Sequence, residues 1–533
     1  MNVVLDKIVD YKDTFLDSKK YCFTFLILLI IAFISIVKPD DILHPSFEAA
    51  SFVIIAILGL FCVCYAMRHN SDDELYKTAF VIIVIFGLIC SLIVPITSVS
   101  DEKEHFVRSE ITSQGVLFPD WNGDEMGVTS LYNQTKGSLD DRYNEGVGYY
   151  TIHSANVLNG ERNKNVFDAQ HDTDKINYTP EIYDSAFEQN PFYGYLPQAI
   201  GILVAKLLDL NIIWMLWLGR IFNLLCFAGL VSYAIKKTPV LKVPLIAVAC
   251  IPITIYQASS TSIDSMIFGL GILAVAYFLY MYKSSEASLE NKEIIIFSAL
   301  CLLLGLCKLT YLAFIFLLLL VPRENFKTKR NATLLILACI AVVAVIGVAW
   351  SHFATPTLAH SWRSKYQPVN STLQMNYLMN HPGHSLNVFS RFLNEEILKL
   401  SGHYFNFFDS TVLPHYNDRY YMLNTMLQIF LAIVLIAYPN NVKFDLKTRF
   451  GAGFIILVVY LGTCVVQLLS FAKVGGHGLG ISLRYFIPLL ALIPVVFQIN
   501  YGDVENREFD KYVLLFSIMF MGAMILSFAT KYY

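Results

Sequence analysis

The sequence predicts an all-α polytopic membrane protein of roughly thirteen transmembrane helices, with two large extracytoplasmic loops carrying short helices. Three observations predict it: an apolar composition, repeated apolar runs of membrane-crossing length, and basic clusters on alternate connections. Of 533 residues, 56% are hydrophobic and 15% charged, and mean hydropathy is +0.53. That composition lies outside the range of a water-soluble globular chain. With 39 basic and 42 acidic residues, bulk charge points to no nucleic-acid partner, and the lipid bilayer is the first partner implied.

A bilayer core about 30 Å thick needs roughly 20 apolar helical residues, fewer where the membrane adapts. Spans are expected near 21–37, 52–67, 79–99, 211–234, 240–256, 262–282, 293–306, 308–321, 332–350, 422–438, 451–471, 485–499 and 511–528. The first run follows several lysines and leads into Lys38, Pro39 and two aspartates with no small-residue cleavage site, so it reads as an uncleaved span. All ten cysteines lie in or beside apolar runs and none in the two large loops. They read as small buried hydrophobes, and outer loops without disulfides suit a bacterial plasma membrane.

Basic short loops face the cytoplasm. Lys7, Lys12, Lys19 and Lys20 put the N-terminus inside. Alternation then brings Arg68/Lys77, Lys236/Lys237/Lys242, Lys283/Lys292, Arg323/Lys327/Lys329/Arg330 and Lys443/Lys447/Arg449 to the same side, and the C-terminus to the extracytoplasmic side. Residues 100–195 fall outside, with seventeen Asp or Glu against seven Lys or Arg. The chain divides into a two-span segment (1–78), a membrane module holding the first outer loop (79–350), a second outer loop (351–421) and a four-span segment (422–533).

The run Glu293 to Val321 has basic residues on both flanks, which one span cannot place on one side. Two half-length helices with Lys308 at the tip would end short of the outer surface and leave a pit there. A single tilted span with a snorkelling Lys308 is the alternative. In the outer loops, aromatic and turn residues, including Asn122-Gly123-Asp124, suggest an ordered subdomain in 100–195. The aromatics of Gly402 to Asp409 suit an interfacial amphipathic helix. Ten of twelve histidines fall in outer loops, including His381, His384 and His477, without metal-ligand spacing.

The sharpest local pattern is Pro95 to Arg108. If a helix starts there with Ser100 as N-cap, then Asp101, Glu104/His105 and Arg108 share one face. A carboxylate, an imidazole and a guanidinium would deprotonate a hydroxyl and hold a phosphate; a capped, solvated helix start with local ion pairs is the plainer alternative. Arg220 within a span, Asp264 after a hydroxyl-rich turn, and Arg484-Tyr485 beyond the glycine-rich stretch 475–480 converge on the same side.

These residues carry a resemblance. Pro95, Asp101, Glu102, His105, Phe106 and Arg108, followed in order by Tyr195 to Gly201, Arg220 with Asn223, Pro252, Gln257 to Asp264, Lys308 with Tyr311, Leu413-Pro414 and Arg484 to Pro488, resemble the bacterial membrane-protein family DUF2142 over about 79–528. Glu104 departs from that pattern, which usually has Ala there. The family is similar in plan to GT-C glycosyltransferases, an analogy of fold. The resemblance implies a GT-C-like fold and transfer of a sugar from a polyprenyl-phosphate donor to a surface glycan on the extracytoplasmic side. It further implies an acidic base, by position Asp101 and next Glu102. Glu104, His105, Arg108, Arg220, Asp264, Lys308, Arg484 and Tyr485 are expected to bind substrate. No cofactor is fixed, and a divalent cation is left open. The rivals are a flippase or transporter of lipid-linked saccharides, which predicts internal repeats, and a polymerase or ligase, which would place its key Arg and His in the second loop.

Overall fold

The computed structural model describes residues 2–36, 45–119, 148–183, 187–359, 371–394, 407–408, 418–439, 442–476, 481–497 and 507–533. Its membrane body opens with α1 (Asn2–Ile36), α2 (Pro45–Arg68) and α3 (Leu75–Ile93). Helix α3 stops because Pro95 cannot donate and drives the preceding Val94 into extended backbone, φ −64° and ψ 126°. The first large loop then adds α4 (Glu102–Ser113), β1 (Tyr149–Ile152), α5 (His153–Gly160) and β2 (Pro180–Tyr183). The two strands pair antiparallel, Tyr149 opposite Tyr183 and Ile152 opposite Pro180. After a 3-10 turn at Phe192–Tyr195 come α6 (Leu196–Leu207), α7 (Ile212–Lys237), α8 (Lys242–Ala249), α9 (Pro252–Ala258), α10 (Asp264–Lys283) and α11 (Asn291–Cys307). A 3-10 helix, Leu309–Leu319, precedes α12 (Lys329–Ala359), α13 (Ser371–Asn380), α14 (Pro382–Phe392), α15 (Asp418–Ile436), α16 (Leu446–Ser470) and α17 (Arg507–Tyr532).

Among the described residues, eight helices are long and apolar enough to cross a membrane. The all-α polytopic class stands; shorter apolar helices at Leu309–Leu319 and Met422–Ile436 add to these eight, and the expected figure of roughly thirteen is not reached by long helices alone. Two expected spans are broken at prolines. Residues 240–256 form α8 and α9, parted before Pro252, and 485–499 form short turns at Leu483–Phe486, Ile487–Leu490 and Ile493–Val496, the last two opened by Pro488 and Pro494. The spans of α10 and α17 are 83% and 89% buried and form the centre, whereas that of α12 is 22% buried. Exposed Val345 and Val348 on α12 and Phe450 and Phe454 on α16 give the periphery an apolar surface suited to lipid rather than water. Helices α6 and α7 pack backbone to backbone. A Cβ on Gly201 would lie 2.2 Å from the Leu218 carbonyl oxygen, the close approach that small residues permit between membrane helices.

The basic clusters meet at one end of the bundle. Lys236 lies 5.3 Å from the Tyr76 ring, Lys242 donates to the Asp72 carbonyl at 2.6 Å, and Lys283 donates to the Lys443 carbonyl at 3.4 Å. Asp264 and Lys308 lie at the other ends of these helices: Asp264 begins the helix that Lys283 ends, and Lys308 follows the end of the helix whose first turn holds Lys292.

Residues 287–289 bond back to 324–327, through Ala287 N to Glu324 O and Leu289 N to Asn325 O, both 2.9 Å. Helix α11 and the 3-10 helix therefore form a hairpin with Lys308 at its tip. At about 1.5 Å per residue α11 covers about 25 Å, and at about 2.0 Å the 3-10 helix covers about 22 Å. Both fall short of a bilayer core of about 30 Å, so the two-short-helix reading describes this hairpin.

In the second large loop, Gln374 of α13 brackets the backbone beyond α16. Its Nε2 donates to Gly476 O at 3.0 Å and its Oε1 accepts from Gly475 N at 2.6 Å. His381 stacks on Tyr377, and His384 Nε2 lies 2.9 Å from Gly475 O. The expected interfacial helix at 402–409 lies outside the described residues except for Phe407 and Phe408. Both of these are buried in the bundle, with Phe407 O accepting from Ile253 N at 2.8 Å. Asn122-Gly123-Asp124, Leu413-Pro414 and His477 also lie outside the described residues.

Candidate functional site

The junction of α3 and α4 has two non-glycine residues at positive φ, Thr97 at 42° and Asp101 at 61°. Asp101, rather than the expected Ser100, is the N-cap of α4, and its side chain does not cap the helix. It turns to Arg484 instead, with which it forms an ion pair. Arg484 Nη1 also donates to the Ser100 carbonyl at 3.0 Å and lies 3.4 Å from Asp264 Oδ2. One guanidinium thus joins the carboxylates of Asp101 and Asp264, from the starts of α4 and α10. The Arg484 side chain is 6% exposed, that of Asp264 11%, and that of Asp101 30%, so Asp101 offers the open face of the group.

Lys308 completes the cluster from the hairpin tip. Its ammonium sits 3.3 Å from the centre of the Tyr485 ring, against which Arg484 also lies at 5.4 Å. Tyr311 fixes this corner by donating to the Tyr485 carbonyl at 2.7 Å. Lys308 and Arg484 therefore share one aromatic ring, and Arg484 holds the two carboxylates beside it, a setting in which anionic groups of a ligand find positive charge and a hydroxyl finds a carboxylate.

The other sequence-selected residues lie apart from that face. Glu102 is fully buried, its oxygens accepting from Arg220 Nε at 2.8 Å, Arg220 Nη2 at 2.7 Å and Thr261 N at 3.1 Å. Arg220 is equally buried and donates also to the carbonyls of Ser91, Val94 and Pro95. Arg108, expected on a shared face with Asp101, donates to Thr112 Oγ1 at 2.6 Å and Leu117 O at 2.9 Å and packs over Tyr195. It braces the start of the first loop. Glu104 is half-buried, and burial raises its carboxyl above the usual carboxylate range.

His105 stacks on Phe187 at 4.2 Å and has Nδ1 2.8 Å from the Tyr195 hydroxyl. Burial pushes its imidazole down to about 3; nearby Asp101 acts to raise it and Arg484 to lower it. It is therefore neutral at pH 7. The folded value is depressed, so the unfolded chain binds the proton first. Stability from this group is full above about 6.5 and lost as pH falls toward about 3. Glu104, shifted upward, works in the opposite sense, so a comparison isolates the histidine. Thermal unfolding of wild type is expected to lose more stability between pH 7 and pH 5 than that of His105→Gln; equal losses would contradict this assignment.

Sequence reasoning missed Glu110 and Lys206, a buried pair at 2.6 Å that fastens α4 to α6, with Thr151 donating to the same carboxylate. Ninety-six positions separate them, and no local pattern joins them. The hydroxyl-rich turn before Asp264 also has a partner that no local pattern marks. Asn223 Nδ2 donates to Ser260 O at 2.7 Å and Ser262 O at 3.0 Å, which ties this turn to α7. Among the described residues no three His, Cys, Asp or Glu side chains gather as a metal site requires, and Asp101 and Asp264 both face Arg484.

A family model described as predicted membrane protein (DUF2142) matches residues 80–493. No curated protein and no solved structure matches the chain.

Proposed function

Because the chain belongs to the DUF2142 family of predicted membrane proteins, and its charged cluster lies at one end of the bundle beside a short hairpin, we propose that it is a membrane glycosyltransferase. It takes a sugar from a polyprenyl-phosphate donor and delivers it to a surface glycan on the extracytoplasmic side of the membrane. The observation that carries this reading is the Asp101–Arg484–Asp264 group with Lys308 at its edge. Asp101 removes the proton of an acceptor hydroxyl, whose oxygen attacks the anomeric carbon with inversion. The bond to the lipid phosphate breaks as that oxygen arrives, and the phosphate leaves with the bonding pair. Arg484 and Lys308 stand where that negative charge develops, the form of electrostatic help that contributes most in a water-poor site. The hairpin, too short to span, lets a lipid-borne phosphate descend to Lys308. Basic clusters at the other end correspond to the cytoplasmic face.

The rival reading as an exporter gains less support, since the charged residues of the cluster sit at one end rather than along a path through the bundle. The test is mass spectrometry of surface glycans from a strain lacking the protein, with transfer measured in membranes supplied with polyprenyl-phosphate sugar. The expected result is loss of a side-chain sugar from an otherwise complete polymer, with transfer restored by the intact gene. Absence of the whole polymer would instead favour export or polymerisation.

A further inference from the structure

Arg220 uses all five of its N–H donors. Nε and Nη2 form a fork on the Glu102 carboxylate, at 2.8 and 2.7 Å. Nη1 reaches Ser91 O at 3.1 Å and Val94 O at 2.7 Å, and the second Nη2 proton reaches Pro95 O at 2.9 Å. Ser91 lies in the last turn of α3, and Val94 and Pro95 follow it directly, where carbonyls lack an intrahelical partner. Glu102 is the first residue of α4 and takes a further bond from Thr261 N, while Thr261 Oγ1 donates to the Glu102 carbonyl at 3.4 Å. One buried cation therefore grips both sides of the connection that contains Thr97 and Asp101. Both are held at positive φ, a conformation that non-glycine residues keep only where their surroundings over-determine it.

We infer that Glu102 and Arg220 are a positioning pair, which fixes the backbone on either side of Asp101 and so aims its carboxylate at Arg484 and the open face. This rests on the reading of Asp101 as the base, and replaces the roles of second base and substrate cation expected from sequence. Neither side chain has exposed surface with which to meet a substrate. The fork is what matters: a lysine at 220 keeps the charge but offers a single point of donation, unable to hold the carboxylate and three carbonyls in one plane.

The experiment uses full-length protein in lipid nanodiscs and two variants. Glu102→Leu with Arg220→Met removes both buried charges and keeps the volume, an exchange that buried ion pairs commonly tolerate; Arg220→Lys carries the test if that pair of substitutions fails to fold. Both are expected to stay monodisperse and to lose about 100-fold in kcat with donor KM changed less than about twofold, the signature of misplacement rather than lost binding. A second readout needs no activity. In an Asp101→Cys background, modification of the thiol by a membrane-impermeant charged reagent is expected to change in rate by about tenfold or more when the pair is removed, as thiol reactivity follows access and surroundings. Wild-type kcat in the variants, with Asp101→Asn inactive, overturns the positioning role and leaves the base reading standing. Activity in Asp101→Asn overturns the base reading, and the labelling rates still decide whether the pair positions residue 101. An unchanged labelling rate overturns it.

Discussion

Asp101→Asn is expected to remove about 10²- to 10⁴-fold of the sugar-transfer rate, the range that a lost general base costs, while the protein accumulates and melts as wild type does. The second half of that expectation follows from the geometry. Asn tolerates positive φ better than most residues, so the backbone at 61° is retained. Arg484 is not left as a lone buried charge, because Asp264 remains 3.4 Å away and the Ser100 carbonyl still accepts at 3.0 Å. What disappears is a carboxylate able to take a proton. Asp101→Ala is a poorer probe, since it adds strain at positive φ and removes every polar contact of the side chain with Arg484. Transfer by purified Asp101→Asn at a rate near wild type would sink the assignment of the base; loss of transfer together with loss of the folded protein would show a structural role instead.

What was legible in the sequence was set by local signals. Apolar length and basic flanks located the membrane helices, and the conflict at Glu293 to Val321 led to the hairpin with Lys308 at its tip. Hydropathy averages over proline, so it did not show that two of the expected spans are broken helices; Pro252, Pro488 and Pro494 were visible signals that the helix stops. The charged group after Pro95 was singled out from sequence, but a shared helical face was the wrong way to assemble it. The helix begins one residue later than supposed, so Asp101 turns outward as N-cap, Glu102 inward to Arg220, and Arg108 into the loop. Asp101 then joins Asp264, Lys308 and Arg484, residues separated by up to 383 positions. Such contacts are decided by tertiary packing and leave no periodic trace.

The same limit hid Glu110, whose removal is expected to have the largest effect on stability. Its carboxylate is wholly enclosed, and the Lys206 side chain only 10% exposed. Besides Lys206 it accepts from Thr151 Oγ1 at 2.6 Å and from Gln114 Nε2. Glu110→Ala leaves the Lys206 ammonium with only the Ser113 hydroxyl, at 2.8 Å, and takes the acceptor from buried Thr151, and removing one partner of a buried pair costs about 3–5 kcal/mol. The exposed pair Lys175–Asp209, with side chains 65% and 76% accessible, is the internal control, since such pairs contribute about 0–1 kcal/mol. Lys175→Ala, which leaves the backbone of Asp209 at φ 47° untouched, should therefore melt close to wild type. Because Glu110 joins α4 and β1 to α6 at the edge of the bundle, its loss should free the first large loop before the membrane helices. Limited proteolysis is expected to cut within 100–195 in Glu110→Ala and spare the remainder, with Lys206→Met plus Glu110→Leu partly restoring resistance. Equal resistance in Glu110→Ala and wild type would show that the pair does not secure the loop to the bundle.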